Sequence, residues 1–459
     1  MYKIDFDRPV NIHFIGIGGI SMSGLAEVLL SKGFKVSGSD NKESELTIAL
    51  SKEGAKIFYG QRAENITDDV DIVVYTAAIR TDNPEYAEVI RRGIPTLTRA
   101  ELLGQLMRNY DIPIAVSGTH GKTTTTSMIS MILMEAELDP TISVGGILKE
   151  IGGNIRIGES EYFVTEACEY TNSFLSFFPK VGIILNIEAD HLDFFKDLDD
   201  IYASFRKFAE LLPEDGTLII NKDIKDYEKI TGGLKCSVIT FSLNDTQADY
   251  YAEEISYNEL GAAKFKACSN GESKGYELSV PGDHNIANAL AAIALSESLG
   301  IGYEAVETGL AKFRGTDRRF QKKGKLGEIT IVDDYAHHPT EISATLRAAR
   351  KYPANRVVCV FQPHTYSRTK AFFEEFADAL CLADLVVLAD IYAAREKDTL
   401  GVSSEDLMEL IRDKGTECYY FPSFDEIENF LLQNCIHGDL LITMGAGDIV
   451  KVGENLLGK

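Results

Sequence analysis

The stretch Ile112-Pro-Ile-Ala-Val-Ser-Gly-Thr-His-Gly-Lys-Thr-Thr-Thr-Thr126 decides how this chain reads. A short apolar run from Ile112 predicts a buried strand, Gly118, Gly121 and Lys122 predict a tight turn, and Thr123 to Thr126 open a helix. Such a turn aims several backbone N–H groups and a helix N-terminus at one point, which is what a polyphosphate requires. Lys122 is placed to reach the outer phosphates, and the Thr123 hydroxyl to sit where a Mg²⁺ ligand sits. The residue six before the lysine is Val116 rather than glycine, so the loop is a shortened Gly-x-x-Gly-Lys-Thr. A glycine turn that merely ended a strand would leave the lysine and threonines without a reason.

Working outward, strand-like and helix-like patterns alternate on both sides of this loop. Before it, residues 1–108 carry a strand at Val10–Ile15, a helix at Ile20–Ser31, strands at Phe34–Gly38 and Asp71–Tyr75, and a helix opened by Asn83-Pro84. Residues 109–318 start with the loop, continue through strands at Tyr162–Thr165 and Val181–Asn186, become β-rich over 216–281, and end on an Ala-rich helix from Asn285 to Leu299. Residues 319–459 alternate again, with strands at Ile329–Val332, Val357–Phe361, Leu385–Leu388 and Leu440–Thr443. The polar, basic Arg314–Arg319 marks the second boundary. Alternation of this kind predicts an α/β fold of parallel sheets with right-handed crossovers. A chain of 459 residues is too long for one core, which agrees with three segments.

The bulk composition excludes more than it identifies. At 45% hydrophobic and 25% charged residues it is that of an ordinary globular protein. A formal charge of −24 argues against a nucleic-acid surface or an anionic membrane as partner. No apolar run is long enough to span a bilayer, and the opening MYKIDFDRPV lacks the apolar stretch of a signal peptide. The seven cysteines are scattered and include no CxxC pair, which predicts reduced thiols and a cytoplasmic location.

Several short motifs carry chemistry. Gly16-Ile-Gly-Gly-Ile-Ser-Met-Ser-Gly24 follows the first strand and opens a helix, with Asp40 at the end of the second strand placed to meet a ribose. Ser21 occupies the third fingerprint position, and the loop suits the diphosphate of either a nicotinamide cofactor or a UDP-type ligand. Small residues for a close helix–strand crossing are the structural alternative. Thr165-Glu166-Ala167-Cys168-Glu169 and Asn186-Ile-Glu188-Ala-Asp190-His191-Leu-Asp193 end successive strands, so both are expected beside Lys122. Oxygen donors with an imidazole around a triphosphate suit Mg²⁺, which predicts Glu166 and His191 as ligands beside Thr123. His284 and Asn288 share one face of a helix start, able to bond a base or a phosphate. Downstream, Asp333-Asp334-Tyr335-Ala-His337-His338-Pro339 and Gln362-Pro-His364-Thr-Tyr366-Ser-Arg368 read as polar loops closing over an anionic centre, with Arg368 pairing a carboxylate or phosphate and Asp334 orienting a cation or base.

In this order, together with Met444-Gly-Ala-Gly-Asp448, these motifs resemble the ATP-dependent Mur ligases of peptidoglycan synthesis across all three segments. The resemblance implies a Rossmann-like N-terminal domain for a UDP-sugar, a central P-loop-type domain for ATP and Mg²⁺, and a Rossmann-like C-terminal domain for an amino acid. It implies ligation of L-alanine to the carboxylate of UDP-N-acetylmuramate through an acyl phosphate, by a monomer or homodimer. By the same resemblance Gly16, Gly18, Gly19, Ile20, Ser21, Ser39 and Asp40 hold the UDP-sugar. Gly118, Thr119, His120, Gly121, Lys122, Thr123, Thr124, His284, Asn288, Arg319 and Asp334 hold ATP. Thr123, Glu166 and His191 hold the metal, and Lys122, His337, His364 and Arg368 carry catalysis. Ser21 stands where many members have glycine and Thr365 where some have arginine. Sister ligases use a carbamylated lysine as a metal ligand, and Lys207 is about where one would be sought. A recycling ligase that adds a whole peptide to the same sugar is the near alternative. An NAD-dependent oxidoreductase would leave Lys122 and Thr123 without a purpose, and a non-catalytic nucleotide sensor would bind ATP without turnover.

Overall fold

The computed structural model describes every residue except Met1, Ala77, Arg395 and Thr399. Its strands form three sheets, carried by residues 11–98, 112–281 and 321–444. The first has the order Lys56–Tyr59, Lys35–Asp40, Asn11–Ile15, Ile72–Tyr75, Thr96–Thr98, and every pair is parallel. The chain moves outward to one side of Asn11–Ile15 and then crosses to the other, so a crevice opens at the carboxyl end of that strand. The Gly16–Gly19 turn sits there. Asn83 caps the helix Pro84–Arg92 through its side chain, with proline in the first turn, as the dipeptide predicts.

The central sheet has ten strands, in the order Glu272–Pro281, Ala262–Ser269, Tyr250–Tyr257, Ser237–Ser242, Thr217–Asn221, Val181–Ile184, Ile112–Ser117, Tyr162–Ala167, Thr141–Leu148, Gly153–Arg156. Its middle is parallel, and antiparallel pairs close both edges. Helices Lys122–Glu135 and Asp283–Ser298 bury one face against Ile114, Val116, Ile183 and Phe265. The other face is continuous with the interior of the N-terminal sheet: Phe14, Leu29 and Leu106 belong to the same buried cluster as Phe163, Phe174 and Phe208. The third sheet runs Gln321–Leu326, Ile329–Asp334, Asp439–Met444, Arg356–Phe361, Leu385–Leu388, Glu417–Tyr420, parallel apart from its first hairpin. Its four inner strands are buried on both faces, which explains their apolar Val/Ile/Leu-rich runs.

Several predicted elements shift at their ends, such as the strand expected at Phe34–Gly38, which runs from Lys35 to Asp40. The strand expected through Asn186 ends at Ile184, because Asn186 turns its side chain to the phosphate loop instead of continuing the ladder. The helix expected from Asn285 starts at Asp283. All seven cysteines are free thiols. Among the described residues no helix is long and apolar enough to cross a membrane.

Candidate functional site

The loop after Ile112–Ser117 is held open by its neighbours. The Asn186 side chain accepts from the His120 N–H at 2.7 Å and donates to the His120 carbonyl at 3.0 Å. Gly121 has φ +82° and packs so tightly on Asn288 that a Cβ there would lie 2.7 Å from its Oδ1. Lys122 opens the helix, and its ammonium donates to the carbonyls of Gly118 and Thr119 and to Glu169 Oε2 at 3.0 Å. Burial alone would lower the lysine pKa, but Glu169, helped by Cys168 and Glu166, holds it above the usual value. The Thr123 hydroxyl donates to Glu166 Oε2 at 3.0 Å, and Glu166 Oε1 accepts from the Gly145 N–H. Two oxygen donors thus sit side by side at the foot of the loop.

Beside the loop lies a cavity of about 250 Å³. Leu185, Phe241, Val280, Pro281 and Phe313 give it an apolar end, suited to a flat base. His120, Gly121, Thr123, Thr124, His284, Asn288, Arg319 and Asp334 line the remainder, so most of the nucleotide set comes together. Asp334 accepts from the Phe320 and Ala336 N–H groups, while burial pushes its carboxyl up to about 6 against the pull of Arg319.

The C-terminal domain closes directly over this cavity. His120 Nδ1 lies 3.1 Å from Glu341 Oε1 and its Nε2 lies 3.4 Å from Glu188 Oε2. The burial of His120 is outweighed by these carboxylates, which lift its pKa to about 9. Glu341 also accepts from the His337 N–H at 3.1 Å and faces Arg319 at 3.7 Å. Arg368 places Nη2 3.0 Å and Nε 3.2 Å from Asp190 Oδ1, both residues being buried to about a tenth or less of side-chain exposure (10% and 8%). The remaining Arg368 nitrogen meets His364 Nδ1 at 3.2 Å. His364 stacks on Tyr392 and lies 5.9 Å from His337, ring centre to ring centre. Burial, with Arg368 adding for His364, pulls both imidazoles down to about 4. His337, His364 and Arg368 therefore form one chamber holding neutral rings beside a paired guanidinium.

At the N-terminal crevice the Gly16 and Ile17 N–H groups bond the Ser39 carbonyl at 2.9 and 3.0 Å. The Gly18 N–H bonds Asp40 Oδ2 at 2.8 Å, and a Cβ on Gly18 would sit 2.8 Å from the same oxygen. Gly16, Gly18, Gly19 and Asp40 line the crevice with Gln61, Thr76, Arg80 and Asn83. Ile20 is exposed at the mouth, and the Ser21 hydroxyl receives Arg99 at 3.2 Å. Ser39 differs from the sequence expectation. It is fully buried, with its hydroxyl donating to Glu85, so it shapes the loop from beneath instead of facing a ligand.

The placements of His191 and Lys207 complete the picture. His191 takes backbone φ +52° and stacks its ring on Tyr170 at 4.4 Å, while its Nε2 lies 3.8 Å from Asp190 Oδ2. The stacking and the left-handed turn direct the imidazole along the surface of that loop. Lys207 lies exposed on the helix Leu198–Ala209, away from the cavity. Among the described residues, the histidine and carboxylate group compact enough for a metal is His120, Glu188 and His338. Sequence reasoning set Glu169, Glu188 and Asp190 beside the phosphate loop without naming their partners, and missed Glu341. Glu341 falls four residues after His337 at a helix start, a signal that spacing alone offered.

The chain matches three family descriptions in succession: "Mur ligase family, catalytic domain" over residues 11–111, "Mur ligase middle domain" over 116–296 and "Mur ligase, glutamate ligase domain" over 318–447. It is 62% identical to a protein of Agathobacter rectalis named UDP-N-acetylmuramate–L-alanine ligase, over 100% of both chains. A protein of Lachnospira eligens with the same name is 61% identical over 100% of both. Among solved structures, UDP-N-acetylmuramate-alanine ligase from Thermotoga maritima superposes with TM-score 0.80 at 32% identity, covering 98% of each chain. A murein peptide ligase from Psychrobacter arcticus gives TM-score 0.71 at 26% identity, again over 98% of each.

Proposed function

The chain belongs to the Mur ligase family, and on that premise we propose how its residues join L-alanine to the carboxylate of UDP-N-acetylmuramate at the expense of ATP. The observation that carries the substrate assignment is 62% identity, over the whole length of both chains, to a relative named for that reaction. Products are UDP-N-acetylmuramoyl-L-alanine, ADP and phosphate. Both nucleotide substrates are cytoplasmic, and we place the enzyme there, with domain boundaries near residues 108/109 and 318/319.

A carboxylate is a poor electrophile, so it first takes the γ-phosphoryl group as an acyl phosphate. We assign the triphosphate to the Gly118–Thr124 loop, where backbone N–H groups, the helix N-terminus and Lys122 meet. The base fits the apolar end of the cavity beside Phe241 and Pro281, with His284 and Asn288 at its polar edge. Thr123 and Glu166, adjacent oxygen donors at the loop, suit a hard cation and would hold Mg²⁺. Bound there, Mg²⁺ supplies neutralisation of charge on the phosphates. Lys122 stabilises the transferring phosphoryl group electrostatically, which is the larger part of catalysis in such reactions.

The second step is attack of the alanine amine on the acyl phosphate, with phosphate leaving. His337 and His364 are neutral near pH 7, so they add no repulsion against an incoming ammonium group. Arg368, fixed by Asp190, is the chamber's anchored cation. The closed seam through His120, Glu188, Glu341 and Arg368 keeps water from the intermediate. We place the UDP diphosphate at the Gly16–Gly19 turn.

The test is phosphate release from ATP and Mg²⁺ with UDP-N-acetylmuramate, with and without L-alanine. Release requiring both, with a product heavier by one alanyl residue, supports the reading. Lys122→Ala abolishes ligation while circular dichroism still shows a folded chain, with a melting temperature lowered by the loss of the buried partner of Glu169. Turnover near the parent value in that variant overturns the loop assignment, and turnover only with a peptide in place of L-alanine points to the recycling ligase.

A further inference from the structure

We propose that His120, Glu188 and His338 form a site for a transition-metal dication of the Zn²⁺ type, which staples the C-terminal domain to the phosphate loop. The ligand-capable atoms of the three side chains all lie within 4.8 Å of one another. Glu188 Oε2 is 3.4 Å from His120 Nε2 and 4.0 Å from His338 Nδ1, and the two imidazoles approach to 4.8 Å between ring centres. His120 Nε2 is buried and makes no hydrogen bond. An ion with ligand distances of about 2.0–2.2 Å needs such atoms about 3.4 Å apart, so binding draws them somewhat closer than they stand.

Each of the three side chains is also held from behind. His338 Nε2 takes the Ala189 carbonyl at 3.0 Å, which puts the ring proton on that nitrogen and turns Nδ1, met only by the Thr340 N–H at 3.4 Å, toward Glu188. His120 Nδ1 pairs with Glu341 at 3.1 Å, and Glu188 Oε2 receives the Thr340 hydroxyl. Imidazole–carboxylate and imidazole–carbonyl contacts of this kind orient and strengthen the ligands of zinc sites. Two nitrogens and one carboxylate select a borderline transition metal over Mg²⁺, whose preferred donors, Thr123 and Glu166, form a separate pair at the helix start and the neighbouring strand. The positive charge that the His120 imidazolium contributes between Glu188 and Glu341 is replaced by that of the ion. Because His120 and Glu188 belong to the central domain and His338 to the C-terminal one, an occupied site resists opening of the seam and slows turnover.

The experiment is calorimetric titration of the full chain with Zn²⁺ alone, without nucleotide. We expect one equivalent bound at this site. It is lost in His338→Asn, where asparagine keeps the helix cap but not the ligand geometry, and weakened about 10–100-fold in Thr340→Val. The seven thiols are competing zinc ligands, so the parent protein is also loaded with Co²⁺ and its absorption spectrum recorded. Nitrogen–oxygen ligand-field bands without thiolate charge transfer support the proposal and need no variant to fold. Absence of binding, affinity unchanged in both variants, or a thiolate spectrum overturns it. None of these readouts requires ligase activity, so they stand apart from the test of the reaction.

Discussion

Removing the Arg368–Asp190 pair should cost the enzyme its closed form more than its fold. Arg368 projects from a short helix of the C-terminal domain and Asp190 from the central domain, so the pair bridges the seam. Both are nearly excluded from water, and Asp190 is held well below the usual carboxylate range, with Arg368 overcoming the penalty of burial. Deleting one partner of a buried pair leaves an uncompensated charge, at a cost of about 3–5 kcal/mol. Opening the seam returns that charge to water, so the penalty falls on the closed state. At about 1.4 kcal/mol per decade, closure is disfavoured by roughly 10²-fold or more. In Arg368→Gln and Asp190→Asn, phosphate release with all substrates present should fall to that extent, while the melting temperature moves little. The double variant removes both charges and should be less impaired than the two single effects combined, by about 2–4 kcal/mol. Effects that add to within about 0.5 kcal/mol would refute a coupled pair across the seam.

Acid should destabilise the C-terminal chamber. His337 and His364 have folded pKa values near 4 against about 6.5 unfolded, so below pH 6.5 the unfolded chain takes up protons that the folded one refuses. Stability is full above that pH and is lost toward pH 4, by up to about 3 kcal/mol for the buried His337 and by less for the partly exposed His364; urea midpoints at pH 7 and pH 5 measure it, and His337→Gln should flatten the difference. Gly121→Ala forces a left-handed residue and a Cβ 2.7 Å from Asn288 Oδ1, so we expect weaker ATP binding and a loss of about 1–2 kcal/mol in stability. An unchanged KM for ATP would count against that contact. Ser39→Ala removes the hydroxyl from buried Glu85 and should destabilise the protein by about 1–3 kcal/mol, read from denaturant unfolding, with little change in saturation by the UDP-sugar.

What the sequence conveyed best was local. The strand, turn and helix at Lys122 depend on residues within about one turn of each other, and so does the Gly16–Gly19 loop. The parallel sheets followed from alternation, and the buried strands of the third sheet from their apolar runs. Long-range pairings were not legible: His120 finds Glu341, and Arg368 finds Asp190, only after three sheets have folded and docked. The apolar end of the cavity was hidden for another reason. Phe241 and Val280 lie in a β-rich stretch where such residues read as core. The left-handed backbone of His191 and its stacking on Tyr170 were likewise invisible to spacing.

The contact between Lys122 and Glu169 sets an entrance requirement. The lysine does not wait as a bare cation; its charge is already matched by a carboxylate 3.0 Å away and by two loop carbonyls. An arriving anion must displace that resident counter-charge before it gains anything from the lysine. A monophosphate or a carboxylate brings too few oxygens to recover the exchange, whereas a triphosphate spans the loop, the helix end and the lysine together. Glu169 thereby turns a general anion receptor into one with a threshold, set against small anions and in favour of the single ligand whose chemistry the enzyme can use.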